Sequence, residues 1–310
     1  MAAPIAINDP AGYQHPSYAK SLEEFGSPRL LARSGGWLLV RPIDQHNGRD
    51  AMGCYPLFSC RDWSGLSADL DDVGHELVSV SLVLDPFCNF DVDVLRQNFT
   101  DRFVPFKTHF VADLQCSSRE IVSEHHRYYA RRALLALDIE LVERPGDIID
   151  EWMCLYAELI ARHRIKGLRA FSRAAFAQQL ATPGIAVLRA RHNGDTVAAH
   201  LWYLQDDVGY SHLAAANSVG YRLMASYALY WSALETFRGQ IRWLNWGGGA
   251  GTNVAAADGL TRFKKGWATG TRTAFFCGRI FDRKRYEALA VDKSSKDDGY
   301  FPAYRAGEFI

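Results

Sequence analysis

Two hydrophobic periods alternate along this chain. Serine alternates with aliphatic residues at 77–84, the period of a half-buried strand. Apolar residues recur every three to four positions at Ile148, Trp152, Leu155 and Leu159, the period of an amphipathic helix. The sequence therefore predicts an α/β fold with a mixed sheet.

The first 115 residues combine short strands and short helices. The segment 107–109 (Lys-Thr-His) is typical of a solvated strand edge rather than of a cleft, and no chemical motif stands out in this part. The pattern predicts strands at 28–32, 37–43, 52–58 and 77–84, an extended segment at 103–114, and helices at 17–25 and 92–99.

After residue 115, residues typical of turns indicate where one predicted strand or helix ends and the next begins. Asn193-Gly194 between β-rich runs predicts a hairpin within a three-stranded antiparallel meander, and Gly239 ends a long helix. The strand after that helix has to cross over, so it should run parallel to the last meander strand. The predicted strands are 137–143, 185–190, 196–204, 208–215, 241–246 and 272–281, and the predicted helices are 118–135, 148–159, 172–180, 221–238 and 258–264.

Composition narrows the class of protein. The 310 residues include 35 Lys plus Arg and 35 Asp plus Glu, so nucleic-acid binding would need a local basic patch. The face of the helix at 118–135 that carries His125, Tyr128 and Arg132 offers such a patch, although the pattern is more typical of a solvated cationic face. The six cysteines lack metal-ligand spacing and fit free thiols, so we expect no metal. Without a long apolar run or a signal peptide, a cytoplasmic protein with no membrane span is expected.

A glycine-rich stretch and the segment that follows it carry the strongest motif. Trp246-Gly247-Gly248 ends a predicted strand, and the sequence Gly-Leu-Thr-Arg-Phe-Lys-Lys-Gly-Trp occupies 259–267. With the order of elements from residue 137, this resembles the GNAT acyltransferase fold, in its FemABX-like branch of two fused GNAT-like halves. The resemblance implies an N-terminal half at 1–115, a basic linking helix at 116–136, a catalytic half at 137–285 and a tail at 286–310.

The resemblance implies three functions. The first is an N-acyltransferase that moves an acyl group from acyl-CoA to a small-molecule amine, such as an amino sugar or amino acid, in a ternary complex. The second is a FemABX-type transferase that uses aminoacyl-tRNA, and the third is a non-catalytic binding scaffold. The size of the superfamily favours acyl-CoA.

The donor site is expected where a helix begins near Gly220, because its unpaired N–H groups favour phosphate. Acyl-CoA members tend to have Arg or Gln, two residues, Gly, one residue, then Gly or Ala there. This chain instead has Asn217, Ser218, Val219, Gly220, Tyr221 and Arg222, a departure that slightly favours aminoacyl-tRNA.

The resemblance marks Lys264 as a residue near the transferred group or a substrate phosphate. The strand at 208–215 would place Tyr210 and His212 on one face, with His200 of the preceding strand as a neighbour, so these residues are candidate bases for an amine acceptor. Substrate contacts are expected from Trp246, Gly247, Gly248, Phe263 and Arg262. In the tail, a polar segment at 292–299 is expected to be mobile and the aromatic segment at 300–305 to dock.

Overall fold

The computed structural model describes residues 9–43, 48–89, 91–165, 167, 170–249, 259–291 and 299–308, and it confirms the predicted α/β class. The strands are β1 (Ser27–Leu30), β2 (Trp37–Ile43), β3 (Gly48–Gly53), β4 (Ser79–Val83), β5 (Arg102–Asp113), β6 (Asp138–Leu141), β7 (Ile185–His192), β8 (Asp195–Gln205), β9 (Val208–Ala216), β10 (Trp243–Gly247) and β11 (Gly270–Ile280). The α-helices are α1 (Pro16–Lys20), α2 (Leu66–Gly74), α3 (Val92–Asn98), α4 (Ser118–Ile121), α5 (Glu124–Leu134), α6 (Ile149–His163), α7 (Arg173–Gln179), α8 (Ser218–Arg222), α9 (Ala225–Phe237), α10 (Gly259–Lys265) and α11 (Arg283–Ala290).

The described residues divide into two compact units. The first takes those within 1–12, 107–166 and 170–272, and the second takes those within 13–106, 167–169 and 273–310. The boundaries between the two units at 106/107 and at 272/273 therefore fall inside β5 and β11.

The sheet of the first unit confirms the predicted meander. Its strand order is β5-β10-β9-β8-β7-β6, with β7, β8 and β9 antiparallel and β10 parallel to β9. Asn193 and Gly194 both have positive φ at the predicted hairpin, as a tight two-residue turn requires. Helix α9 crosses between β9 and β10 and buries an apolar face that includes Leu229, Ala233 and Phe237.

The sheet of the second unit has the order β1-β2-β3-β4-β11. The strand predicted at 52–58 is wrong in position, since β3 ends at Gly53 and Phe58 makes only an isolated bridge to Leu84. Pro56 explains the early end because proline has no N–H to donate to a ladder.

Two predicted long helices are each interrupted. The basic helix divides into α4 and α5 because the Ser123 hydroxyl caps the second helix by accepting from the His126 N–H group. The helix predicted at 221–238 divides into α8 and α9 because Met224 adopts a left-handed conformation, with φ of 58°.

The end of the chain packs within the second unit, as its aromatic composition predicted. The Tyr304 hydroxyl lies 2.7 Å from the Ser79 hydroxyl, and Arg305 donates to the buried carboxylate of Asp50. Most of the polar segment predicted to be mobile, at 292–298, lies outside the described residues, as do residues 250–258 of the glycine-rich stretch.

Candidate active site

Strands β9 and β10 separate soon after they pair. Their parallel pairing covers residues 208–210 of β9 and 243–245 of β10, although β9 continues to Ala216. A bulge in β10 at Trp246 and the left-handed Gly247, with φ of 77°, bend the end of β10. Parallel strands that separate at their carboxyl ends leave backbone groups able to meet a ligand. This is the candidate active site.

Lys264 lies at this strand end. Helix α10 places its Nζ atom 2.7 Å from the Gly248 carbonyl oxygen, to which it donates a hydrogen bond. A methyl group built on Gly247 would come within 3.2 Å of the same Nζ atom. The side chain is half-buried, which limits the screening of its charge. The structure thus brings together Lys264, Gly247 and Gly248, three residues that the sequence analysis assigned to one site.

Aromatic rings support this corner from the core. Phe263 lies 4.9 Å from Tyr227 and 4.8 Å from Tyr230 between ring centroids. Trp246 stacks on Tyr230 at 4.4 Å, donates to the Trp267 carbonyl and is fully buried. Trp246 therefore holds the strand end in place and, against the prediction, offers no surface to a substrate. Arg262 lies exposed on α10.

The sequence analysis missed a histidine at this corner. His109 on β5 is 7% exposed, and its Nδ1 atom lies 3.0 Å from the Asn245 Oδ1 atom on β10. Burial lowers its pKa to about 4, the hydrogen bond to Asn245 opposes that shift, and the charges of Lys264 and Lys107 add to it. The expectation of a solvated edge at 107–109 is therefore corrected. The signal was the position of His109 on an extended segment, but only strand pairing shows which residue it faces.

The two predicted histidines lie on opposite faces of the sheet. His200 packs against Trp202, and its Nε2 atom is 2.8 Å from the Ser211 hydroxyl. His212 packs against Tyr203, and its Nε2 atom is 3.2 Å from the Gln179 side-chain oxygen. Because Trp202 and Tyr203 are successive residues of one strand, they point to opposite faces.

Tyr210 pairs with Tyr203 in the sheet and therefore shares the face of His212, not that of His200. Burial lowers the pKa of both histidines to about 3, so both imidazoles are neutral at pH 7. His200 is fully buried, whereas His212 keeps some contact with solvent.

The loop at 217–222, where the donor was expected to bind, makes hydrogen bonds to its own residue Asn217. The Asn217 side chain accepts from the Gly220 N–H group at 2.9 Å, and the Asn217 carbonyl accepts from the Tyr221 N–H group at 3.0 Å. Ser218, Tyr221 and Arg222 are exposed, and the guanidinium of Arg162 lies 3.7 Å over the Tyr221 ring. Two amides of this turn are therefore already used within the chain.

Gly220 has a structural reason to be glycine, and this can be tested. A methyl group there would lie 2.3 Å from the Val197 carbonyl oxygen, so we expect Gly220→Ala to lower the free energy of unfolding by about 1–3 kcal/mol. The measurement is the urea midpoint. Gly146→Ala is the matched control, since nothing lies within 4 Å of a methyl group there. Equal midpoints for the two variants would contradict the close packing.

Residues 119–265 match the family model Acetyltransf_6, described as an acetyltransferase (GNAT) domain. This part of the chain, just under half of its length, belongs to the GNAT acyltransferase superfamily. Its match spans α5, the meander, the separating strands and α10, but not β5, which carries His109. The predictions of a GNAT-like fold and of an acyltransferase are thereby confirmed.

Similarity of fold to solved structures extends over about nine tenths of the chain. FemX aligns with a TM-score of 0.68 at 14% identity, covering 91% of this chain and 96% of that one. The C-terminal domain of a putative lysylphosphatidylglycerol synthetase from Agrobacterium fabrum aligns with a TM-score of 0.62 at 16% identity, covering 91% and 93%. L-PGS from Bacillus licheniformis aligns with a TM-score of 0.58 at 15% identity, covering 89% and 95%. The fold is therefore that of the FemABX-like branch. No curated protein matches the sequence.

Two further observations concern the part of the chain that the structure describes. No cluster of three or more His, Cys, Asp or Glu residues there is arranged to hold a metal ion. None of its helices combines the length and apolar character needed to cross a membrane.

Proposed function

We propose that this GNAT acyltransferase moves an aminoacyl group from aminoacyl-tRNA to an amine acceptor. The observation that carries the proposal is the closed loop at Asn217. In the acyl-CoA pattern the amides that begin this helix receive the donor's phosphates. Here the Asn217 side chain occupies the Gly220 amide, which would otherwise be free at the start of the helix, and α8 is only five residues long. The loop therefore offers a poor cradle for a pyrophosphate.

The site suits attack on an ester carbonyl. The amine nitrogen adds to the carbonyl carbon, the bond from that carbon to the ribose oxygen breaks, and an amide forms. The amine loses a proton and the ribose hydroxyl gains one. Lys264 supplies a cation near the developing oxyanion, and a donor aimed at such charge is typically worth about 3 kcal/mol.

We assign the removal of the amine's proton to His212. It is neutral at pH 7, shares a face with Tyr210 and keeps some contact with solvent. His200 stacks on Tyr230 but has no contact with solvent, so we assign it the role of orienting Ser211.

Exposed cations support a polyanionic donor. Arg262 on α10 is exposed, and so are Arg131 and Arg132 near the end of α5. None of the three forms an ion pair with another described residue. Helices α5 and α10 meet where His126 Nε2 lies 3.0 Å from the Phe263 carbonyl oxygen, one residue before Lys264. Helix α5, which carries Arg131 and Arg132, thus packs against the helix that carries Lys264.

Acyl-CoA is the second candidate donor. Arg222 is exposed in α8, beside Tyr221 with its stacked Arg162 guanidinium, and both arginines could pair with a phosphate. The acceptor would still be a small-molecule amine.

The donor can be identified by two titrations of the same protein. We expect unfractionated tRNA to bind with an affinity that falls about tenfold or more between 50 and 200 mM salt, because bound phosphates release counterions. We expect acetyl-CoA to leave the melting temperature unchanged. A true ligand at ~100 times its dissociation constant would add roughly 2.7 kcal/mol to the free energy of unfolding.

The opposite pattern would overturn the proposal. A saturable thermal shift with acetyl-CoA and no salt-dependent binding of tRNA would assign the acyl-CoA function instead. Arg131→Gln with Arg132→Gln is a useful variant, because it should weaken tRNA binding and reduce its salt dependence without changing any response to acetyl-CoA.

A further inference from the structure

A short relay of hydrogen bonds links β5 to Lys264. His109 on β5 contacts the Asn245 side-chain oxygen at 3.0 Å, and the same oxygen accepts from the Gly247 N–H group at 2.9 Å. The next residue, Gly248, offers its carbonyl to Lys264 Nζ at 2.7 Å. Three residues, Asn245, Gly247 and Gly248, therefore separate a buried imidazole from the ammonium group of the site.

The hydrogen bonds define which atoms donate. A backbone N–H group can only donate, so the atom of Asn245 that faces Gly247 is its oxygen. That oxygen also faces His109, so the Nδ1 atom of His109 carries the proton. With its lowered pKa of about 4, the imidazole is neutral at pH 7 and does not repel the two lysines near it.

The glycine turn depends on these contacts. Gly247 is left-handed, a conformation that glycine accepts without steric cost, but free glycine also populates many others. Asn245 removes that freedom on one side by binding the Gly247 amide. On the other side, a methyl group on Gly248 would meet Lys107 at 3.2 Å and the Thr108 carbonyl at 3.3 Å, so β5 packs closely against the turn.

We propose that His109 and Asn245 are positioning residues that fix the Gly247–Gly248 turn and, through it, the Lys264 ammonium group during acyl transfer. This inference depends on the role of Lys264 in the proposed function, but not on which donor carries the acyl group. His109 acts through Lys264 and need not touch the substrate.

A double-mutant cycle tests the relay, with whichever donor gives turnover. We expect His109→Val to lower kcat by about 10- to 100-fold with little change in KM, since a small displacement of a catalytic group costs rate. His109→Asn should recover most of the loss, because its amide can donate from nearly the position of Nδ1. In a Lys264→Met background, His109→Val should cost almost nothing more.

Full additivity of the two losses would overturn the inference, since His109 would then act independently of Lys264. Equal damage from His109→Asn and His109→Val, with matching losses in melting temperature, would make the histidine purely structural.

A second readout needs no turnover, so it separates this inference from the donor assignment. Labelling of lysines by an amine-specific acylating reagent, followed by mass spectrometry, reports how firmly each ammonium is held. We expect His109→Val to raise the labelling rate of Lys264 several-fold and to leave that of the exposed Lys265 unchanged. An unchanged rate at Lys264 would show that the turn does not depend on His109.

Discussion

Lys264→Met is expected to lower kcat by about 10²- to 10³-fold, the cost of removing one well-placed electrostatic donor from a transferase site. The substitution removes the positive charge and the hydrogen bond to Gly248 but keeps the length of the side chain. The aliphatic stem can still pack, so we expect the melting temperature to change little. Steady-state kinetics and thermal unfolding on the same preparation measure both quantities.

Lys265→Met is the matched control for this experiment. Lys265 is the next residue of α10 and is exposed, so the same chemical change is made one position away from the candidate site. We expect its kcat to stay near that of the parent protein. If both variants lost activity equally, the effect would come from the charge of the helix as a whole. If Lys264→Met unfolded the protein and left the residual folded fraction active, Lys264 would be structural.

The second prediction with a large expected effect is a loss of stability at acid pH. His109, His200 and His212 have pKa values near 4, 3 and 3, all lowered by burial from the usual value of about 6.5. Between pH 6.5 and 4 the unfolded chain binds these protons and the folded protein does not. The free energy of unfolding therefore falls as the pH falls, by up to ~1.4 kcal/mol per pH unit for each histidine. His109 and His200 should carry the larger share, because His212 keeps some contact with solvent.

Urea unfolding at several pH values between 7.5 and 4.5 measures this slope. Carboxylates contribute to it too, so the informative quantity is the difference between variants. His200→Gln removes one buried imidazole and should make the slope shallower by about one proton, or ~1.4 kcal/mol per pH unit. His75→Gln, at an exposed histidine of α2's C-terminal end, should leave it unchanged. Identical slopes in all three proteins would show that His200 is protonated in the folded state.

The acid result also bears on the mechanism. In the proposed mechanism His212, whose pKa lies near 3, takes up the amine's proton as that amine bonds to carbon rather than before. The neutral imidazole of His109 lies beside the charges of Lys264 and Lys107 and adds no further positive charge to the site.

Sequence periodicity was sufficient where local physics decides the structure. The Asn193-Gly194 turn, the antiparallel meander and the parallel crossover to β10 all depend on turn chemistry and chain length, and all three predictions were confirmed. The ends of strands were predicted less accurately, since the strand predicted at 52–58 ends at Gly53 and Phe58 makes only an isolated bridge. Pro56 is the residue in the sequence that indicates this earlier end.

Hydrophobic periodicity could not predict which distant strands pair. His109 and Asn245 are 136 positions apart, and nothing in either segment reveals that β5 lies against β10. The same is true of the bulge that aligns His200 with Ser211 and sends His212 to the other face. A one-residue shift in a strand reverses every side chain after it, so faces cannot be assigned without the register.

The sequence by itself determined the α/β class, the order of elements in the second half, and Lys264 with its glycine-rich neighbours, because these follow from short-range patterns and one motif. Only the tertiary structure decided that Asn217 binds the Gly220 amide, that Trp246 is core, and that His109 contacts Asn245 beside the Gly247 turn. Each of these depends on which backbone and side-chain atoms meet across strands and loops. Such contacts are selected by packing and hydrogen bonding in three dimensions, not by the spacing of residues along the chain.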